Sequence, residues 1–390
     1  MKHLIFSALL LLGAANAFCK SYLVHNEKEL TDILPSLKAG DKVRIANGTY
    51  TPWSVTIGTA ATASQPLTIE AETKGKVIFK GDAGRTSFKI TGSYIVLRGL
   101  TFEDCNLVKV EKRSGLLVEM NNSQHCRMTE CTFRRVTAKS QYMPLVTVSG
   151  NGEHNRVDHC TFSHNADNMD VTVKVTKDNT PQHTLIDNNL FENKNPVSWK
   201  NGNGGECVQI GQDPILLGTV SATAIVRENR FIRCNGEPEV ISNKSSNNQY
   251  IKNQLENCIG EIVMRGGHDC VVDSNTIKGG SSGIRVNGTG HRITHNRISD
   301  VKTGIRLMYG MTKSKTETGF YVAAGNCVIA NNRLENTTTG IFIGDSKNAD
   351  WTGKFDTVRY PSRVMQDVAP YDNTLEGNVF VHAGSEVVKQ

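Results

Sequence analysis

The chain is poor in proline (10 residues of 390) and in aromatic side chains (6%), and no apolar run after residue 17 is long enough to cross a membrane. It shows no 3.6-residue apolar periodicity, which argues against a helical bundle, and it lacks the leucine skeleton of a leucine-rich repeat. Neither sign of charge dominates. A net charge of +6 is too modest to imply a nucleic-acid tail, though it would suit an acidic partner if the positive residues were gathered on one face. No Cys or His spacing matches a zinc site. "GNGGE" at 202–206 stands in no strand-to-helix pattern that would make it a phosphate loop. The acid and base pair of a β-helical glycosidase has no convincing counterpart either. What is abundant is glycine (35 residues), with valine, isoleucine and asparagine, a composition suited to many short strands and tight turns.

Residues 1–17, "MKHLIFSALLLLGAANA", read as a secretory signal, with a basic start at Lys2 and His3 and a small-x-small site at Ala15-Asn16-Ala17. The mature chain, 18–390, is expected to be exported, to the periplasm or exterior of a bacterium, and to act as a monomer. Lipidation at Cys19 is the rival reading, disfavoured because Phe18 is large where such sites want a small residue.

The chain repeats a short phrase, a polar residue followed two places on by Phe, Leu or Ile. Its apolar members are Phe102, Phe133, Phe162, Phe191, Phe231, Leu255, Ile277, Ile298, Leu334 and Phe380, with separations from 21 to 46 residues. The irreducible step is a little over twenty residues, and longer steps carry insertions, chiefly 309–325 and 345–368. One such step fits one turn of a right-handed parallel β-helix, each coil stacked at about 4.8 Å on the last. Asn189, Asn229, Asn253, Asn275, Asn296, Asn332 and Asn378 hold one place in the repeat, where stacked side chains can pass hydrogen bonds from coil to coil. Cys131 and Cys160 take that same place, and Cys105, Cys126, Cys234, Cys258, Cys270 and Cys327 also keep to the register. They are expected to pack as small hydrophobes, not to form a disulfide framework. Ahead of the coils, about 24–40, Asn26 and Glu29 resemble a capping box, and a short helix there would cover the open first coil.

With a period near twenty-one, Lys244, Arg265, Arg285 and Arg306 are expected to stand one above another as a row of cations. Like charges in a row repel unless anions lie across them, which points to a groove for a polyanion. Glu237 and Glu239, at i and i+2 in a strand, face one side and need a cation. A surface arginine could serve, or a hard divalent ion with oxygen ligands. One coil earlier, "NGNGGECVQIG" offers Asn203 as the favoured third ligand, with Asn201 and Glu206 as rivals.

The motifs "NGGECVQIG", "EPEVISNKS", "VMRGG" and "SGIRVNGTGHRITHN" resemble those of polysaccharide lyase family six, the alginate lyases and chondroitinase B, across nearly the whole mature length. The resemblance implies Lys244 as catalytic base, Arg265 as its partner, and Glu237 and Glu239 as Ca²⁺ ligands. Two departures bear on substrate positioning. Relatives often carry His directly after the arginine, where this chain has Gly266 and then His268. Gln209 stands where an arginine is common. The implied reaction is β-elimination on a uronic-acid polymer, with alginate expected as substrate and Arg285, Arg306, His268 and Gln209 as substrate contacts. The alternatives are a dermatan sulfate lyase and a noncatalytic β-helical carbohydrate-binding protein.

Overall fold

In a computed structural model that describes residues 19–390 except 112, 213–218, 314, 316 and 318, the repeat becomes a parallel β-helix. The expected signal segment, 1–17, lies outside the described residues. Each coil gives one short strand to each of three long sheets, as in Ile225–Arg227, Arg230–Cys234 and Glu239–Asn243, followed by Gln249–Ile251, Gln254–Cys258 and Glu261–Met264. Neighbouring coils pair in parallel within every sheet.

The ten apolar anchors form one column of the second sheet. Phe102 pairs with Phe133, that with Phe162, and the register continues through Phe191, Phe231, Leu255, Ile277, Ile298 and Leu334 to Phe380. From Phe133 to Phe231 the rings lie nearly parallel with centroids 4.8 Å apart, which is the coil spacing itself. Each stacked pair adds about 0.5–1.5 kcal/mol beyond its buried area.

The asparagines form the expected ladder at the corner between the first and second sheets. Asn229 donates its backbone N–H and its side-chain amide to Asn253 Oδ1, at 3.2 and 3.1 Å, and Asn253 does the same to Asn275 Oδ1, at 2.9 and 3.0 Å. The side chains are fully buried, so an acceptor removed here cannot be replaced by water. Asn253→Ala is expected to cost about 1–3 kcal/mol for the donors it orphans, read as a lowered midpoint in denaturant with unchanged slope. Nine cysteines are buried as free thiols and Cys19 is exposed.

At the N-terminus, helix Glu27–Ile33 is capped by Asn26, whose Oδ1 accepts from Glu29 N–H at 2.9 Å, while Glu29 Oε2 accepts from His25 N–H at 2.7 Å. Leu30 from this helix joins the core. The two late insertions leave the helical body as expected, and the second contains a short antiparallel pair, Ala349–Asp350 with Met365–Gln366. Among the described residues no helix is long and apolar enough to cross a membrane.

Candidate active site

The third sheet carries the charged residues, and its register corrects the expected row of four cations. Arg285 pairs with Arg306, but the residue of the preceding coil that pairs with Arg285 is Val263, and the one before that is Ser242. Lys244 and Arg265 lie two residues further along their strands, in a separate column at the sheet's C-terminal edge. Their N–H groups donate to Ile210 O at 2.7 Å and Asn243 O at 3.0 Å, one coil apart. The cause is a step of 22 residues, from Val263 to Arg285, where equal spacing had been assumed.

The anions demanded by these cations belong to the protein itself. Glu206, Glu239 and Glu261 stand on successive coils at the start of the third sheet, with Glu239 paired to Glu261. Three of the four cations reach back to one of them: Lys244 Nζ lies 3.3 Å from Glu206 Oε1, Arg285 NH1 lies 3.7 Å from Glu239 Oε1, and Arg306 clasps Glu261. Arg306 also donates to Asp345 Oδ2 at 2.7 Å, from the start of the second insertion. Arg306 is thus engaged on both sides, which corrects its place in a row of cations free for a substrate.

Glu206, Glu237 and Glu239 bring carboxylate oxygens within 4.8 Å of one another. The third acid is therefore Glu206, held in the sequence only as a rival. Asn203 is exposed in the loop before it, its backbone carbonyl accepting from Gln141 at 2.8 Å, and Asn201 Oδ1 accepts from the same amide at 2.7 Å. Gly204 N–H donates to Glu237 Oε2 at 2.7 Å, so the loop still packs on the cluster by its backbone. Gln209 donates to Glu206 Oε1 and so orients that acid. Ser242 does the same for Glu239.

Three acids so close cannot all ionise freely. Burial, with the charges of Glu206 and Glu239, pushes Glu237 up to about 10. Burial also works against ionised Glu239, but Arg265, Lys244 and Arg285 outweigh it and hold that carboxyl at about 2. Glu206 Oε2 is buried without a hydrogen-bond partner. An orphaned carboxylate oxygen, a neighbouring acid kept protonated, and only oxygen donors make a set that fits a hard divalent cation.

Arg265 is roofed by the first insertion. Its guanidinium lies 5.0 Å from the Phe320 ring centre and 5.1 Å from that of Tyr321, and Arg285 lies 5.4 Å from Tyr321. Burial opposes the charge of Arg265, yet Tyr321, Glu239, Glu206 and Glu237 favour it and raise its pKa above the ordinary value. It stays a cation throughout the working pH range. His268 does not join the cluster; it turns at the next corner, where its Nδ1 lies 2.7 Å from Asp269 Oδ2. Sequence reasoning missed Phe320 and Tyr321, which sit in an insertion with no repeat to place them.

A parallel β-helix with a lysine and an arginine on adjacent coils, beside three convergent carboxylates, has the build of a β-helical polysaccharide lyase. The comparison with known families is specific: a family model described as chondroitinase B matches residues 24–389. The chain belongs to that family, polysaccharide lyase family 6. Among solved structures it is similar to a mannuronic acid specific family 6 lyase from human gut microbiota, at 25% identity over 95% of this chain and 82% of that one, with a TM-score of 0.78. It is also similar in fold to a family 6 lyase from Pseudopedobacter saltans (21% identity, 94% and 92% covered, TM-score 0.73). A third is the alginate lyase AlyGC (23% identity, TM-score 0.71), of which 95% of this chain covers only 53%. No curated protein matches the chain.

Proposed function

We propose that the protein is an exported alginate lyase, cleaving the polyuronate by β-elimination and leaving a 4,5-unsaturated sugar. The observation that carries this reading is the column in which Lys244 and Arg265 stand one coil apart, next to Glu206, Glu237 and Glu239. The similarity to a mannuronic acid specific lyase supports the choice of polymer. The C5 proton of a uronate is weakly acidic, because its loss puts a second negative charge beside the carboxylate. Lys244 is the base that takes that proton. Arg265 remains charged and therefore stabilises the enolate-like oxygen and the departing O4 without donating a proton, and as the C4–O4 bond breaks O4 takes its proton from water. Phe320 and Tyr321 fix its guanidinium plane by cation–π contact, worth about 0.5–2 kcal/mol. Glu206, Glu237 and Glu239 would hold Ca²⁺, which when bound supplies positive charge against the substrate carboxylate.

The direct test is ultraviolet absorbance of the conjugated product when the protein meets alginate, dermatan sulfate and a neutral polymer. Growth on alginate alone is expected. Growth on dermatan sulfate alone would transfer the assignment to that polymer, and no growth on either would leave a carbohydrate-binding protein. The metal is tested without turnover. Ca²⁺ at a hundred times its dissociation constant should raise stability by about 2.7 kcal/mol, visible as a higher melting temperature, and Glu239→Gln should reduce that gain. A melting temperature indifferent to Ca²⁺ and chelator would remove calcium from the site.

A further inference from the structure

Lys244, Arg285 and Arg306 are each held by an acid of the protein. Arg265 is not. Among the described residues its side chain makes no ion pair and no hydrogen bond, and its Nε is buried without a partner. What fixes its direction is a corner made of two rings. Phe320 and Tyr321 meet at 77° with centroids 5.3 Å apart, and the guanidinium lies 5.0 and 5.1 Å from them. A planar cation set against two nearly perpendicular rings has little freedom to turn, although no hydrogen bond holds it. Tyr321 also lies 5.4 Å from Arg285, whose place is set by Glu239.

The corner is built from both insertions. The neck of the first is stapled from below by the buried Asn287, whose Nδ2 donates to Tyr309 O and Val322 O, both at 3.3 Å. Within that insertion Met311 N–H donates to Tyr321 O at 2.8 Å and Ala323 N–H to Thr312 O at 3.0 Å. These bonds place the backbone and leave the two rings to be backed by the second insertion. Phe355 stacks on Phe320 at 4.3 Å and 9°, and Trp351 lies 5.0 Å from Tyr321 and 6.0 Å from Phe320. The backing is itself anchored: Trp351 donates to Gln366 Oε1 at 2.7 Å, Gln366 donates to Tyr309 O at 2.8 Å, and Ser362 Oγ accepts from Phe320 N–H at 3.0 Å. Three layers result, with Arg265 inside, Phe320 and Tyr321 over it, and Phe355 and Trp351 outermost. Phe355 and Trp351 are half-buried and outside the core of the coils, so packing of the β-helix does not account for them.

We propose that Phe355 and Trp351 are positioning residues for Arg265, acting through the rings of Phe320 and Tyr321. The second insertion thereby sets the orientation of a cation that no acid of the protein holds. The inference rests on the lyase reading above and deepens it, because it extends the apparatus that aims Arg265 to a segment some ninety residues further along the chain.

The experiment takes Phe355→Ala and Phe355→Tyr, each alone and in an Arg265→Lys background. Lysine keeps the charge as a compact ammonium with no plane for the rings to align. Phe355→Ala is expected to lower kcat on alginate about tenfold, within the roughly hundredfold that a misplacement of about 1 Å can cost, with KM little changed. Phe355→Tyr keeps the stacked ring and should recover most of the loss. In the Arg265→Lys background Phe355→Ala should add little, because residues acting through one group are not additive. A second readout needs no turnover. Phenylglyoxal, a dicarbonyl that modifies guanidinium groups, should label Arg265 faster in Phe355→Ala than in the wild type or Phe355→Tyr, as read by peptide mass. An unchanged kcat, an unchanged labelling rate at Arg265, or losses that multiply in the double variant would overturn the proposal. Faster labelling of Arg265 in Phe355→Ala, with no unsaturated product from the wild type on any uronate polymer, would sink the lyase reading and keep the positioning of Arg265. Turnover by the wild type with labelling indifferent to Phe355 would do the reverse.

Discussion

Lys244→Ala is expected to lower kcat on alginate by at least about a hundredfold, the lower end of what a general base contributes, while the protein stays folded. The residue is only 7% exposed and lies 3.3 Å from Glu206, so the alanine variant also removes a charge partner from a buried acid. That second effect needs its own control. Lys244→Arg restores the cation beside Glu206 but offers no basic nitrogen, because a guanidinium does not deprotonate in proteins. If Lys244 is the base, both variants are inactive and the arginine variant is the more stable of the two. An active Lys244→Arg protein would make the residue an electrostatic anchor and leave the base to be found elsewhere. The measurement is initial rate by absorbance, with a melting curve for each variant.

The fold was legible because the repeat makes each residue report its neighbours. Ten apolar anchors and seven asparagines name their own columns, and every one falls in the expected place. The charges were harder to place, for a specific reason. Counting twenty-one residues from Lys244 finds Arg265 correctly, but the next coil is one residue longer, and Arg285 falls two places early in its strand. Aligning strands instead of counting gives "VTVK" (171–174), "VQIG" (208–211), "ISNK" (241–244), "IVMR" (262–265), "IRVN" (284–287) and "IRLM" (305–308). In that alignment Lys174, Lys244 and Arg265 share the fourth position, and Arg285 and Arg306 share the second. The choice of Glu206 over Asn203 depended on the conformation of a glycine-rich loop, Gly202 to Gly205, which carries no repeat and leaves the backbone many paths. The aromatic roof over Arg265 was invisible for the same cause, since insertions have no register from which to predict a contact.

Arg306→Ala is expected to act on stability and not on substrate affinity, and this separates the structure from a simple reading of the charge row. Arg306 holds Glu261 and Asp345 together, and Glu261 is 5% exposed. Removing one partner of a buried pair leaves the other charge without compensation, at a cost of about 3–5 kcal/mol. Asp345 opens the second insertion, so the loss should also loosen the segment bearing Trp351 and Phe355. The pH dependence has a definite sign. Burial raises the pKa of Glu261 even with Arg306 present, although Arg306 and Arg285 pull it down. Without Arg306 it should rise further. Below the unfolded value, about 4.3, the carboxyl is neutral in both states and the variant should lie closest to the wild type. As pH climbs from there toward the raised folded value, the unfolded chain ionises first and the deficit widens. Glu261→Gln in the Arg306→Ala background removes the stranded charge and should recover part of the stability, with little pH dependence left in the difference. Denaturant melts of the wild type, the single variant and the double variant at acid and neutral pH give the answer. A stable Arg306→Ala protein with a raised, salt-sensitive KM would show that Arg306 serves the polymer.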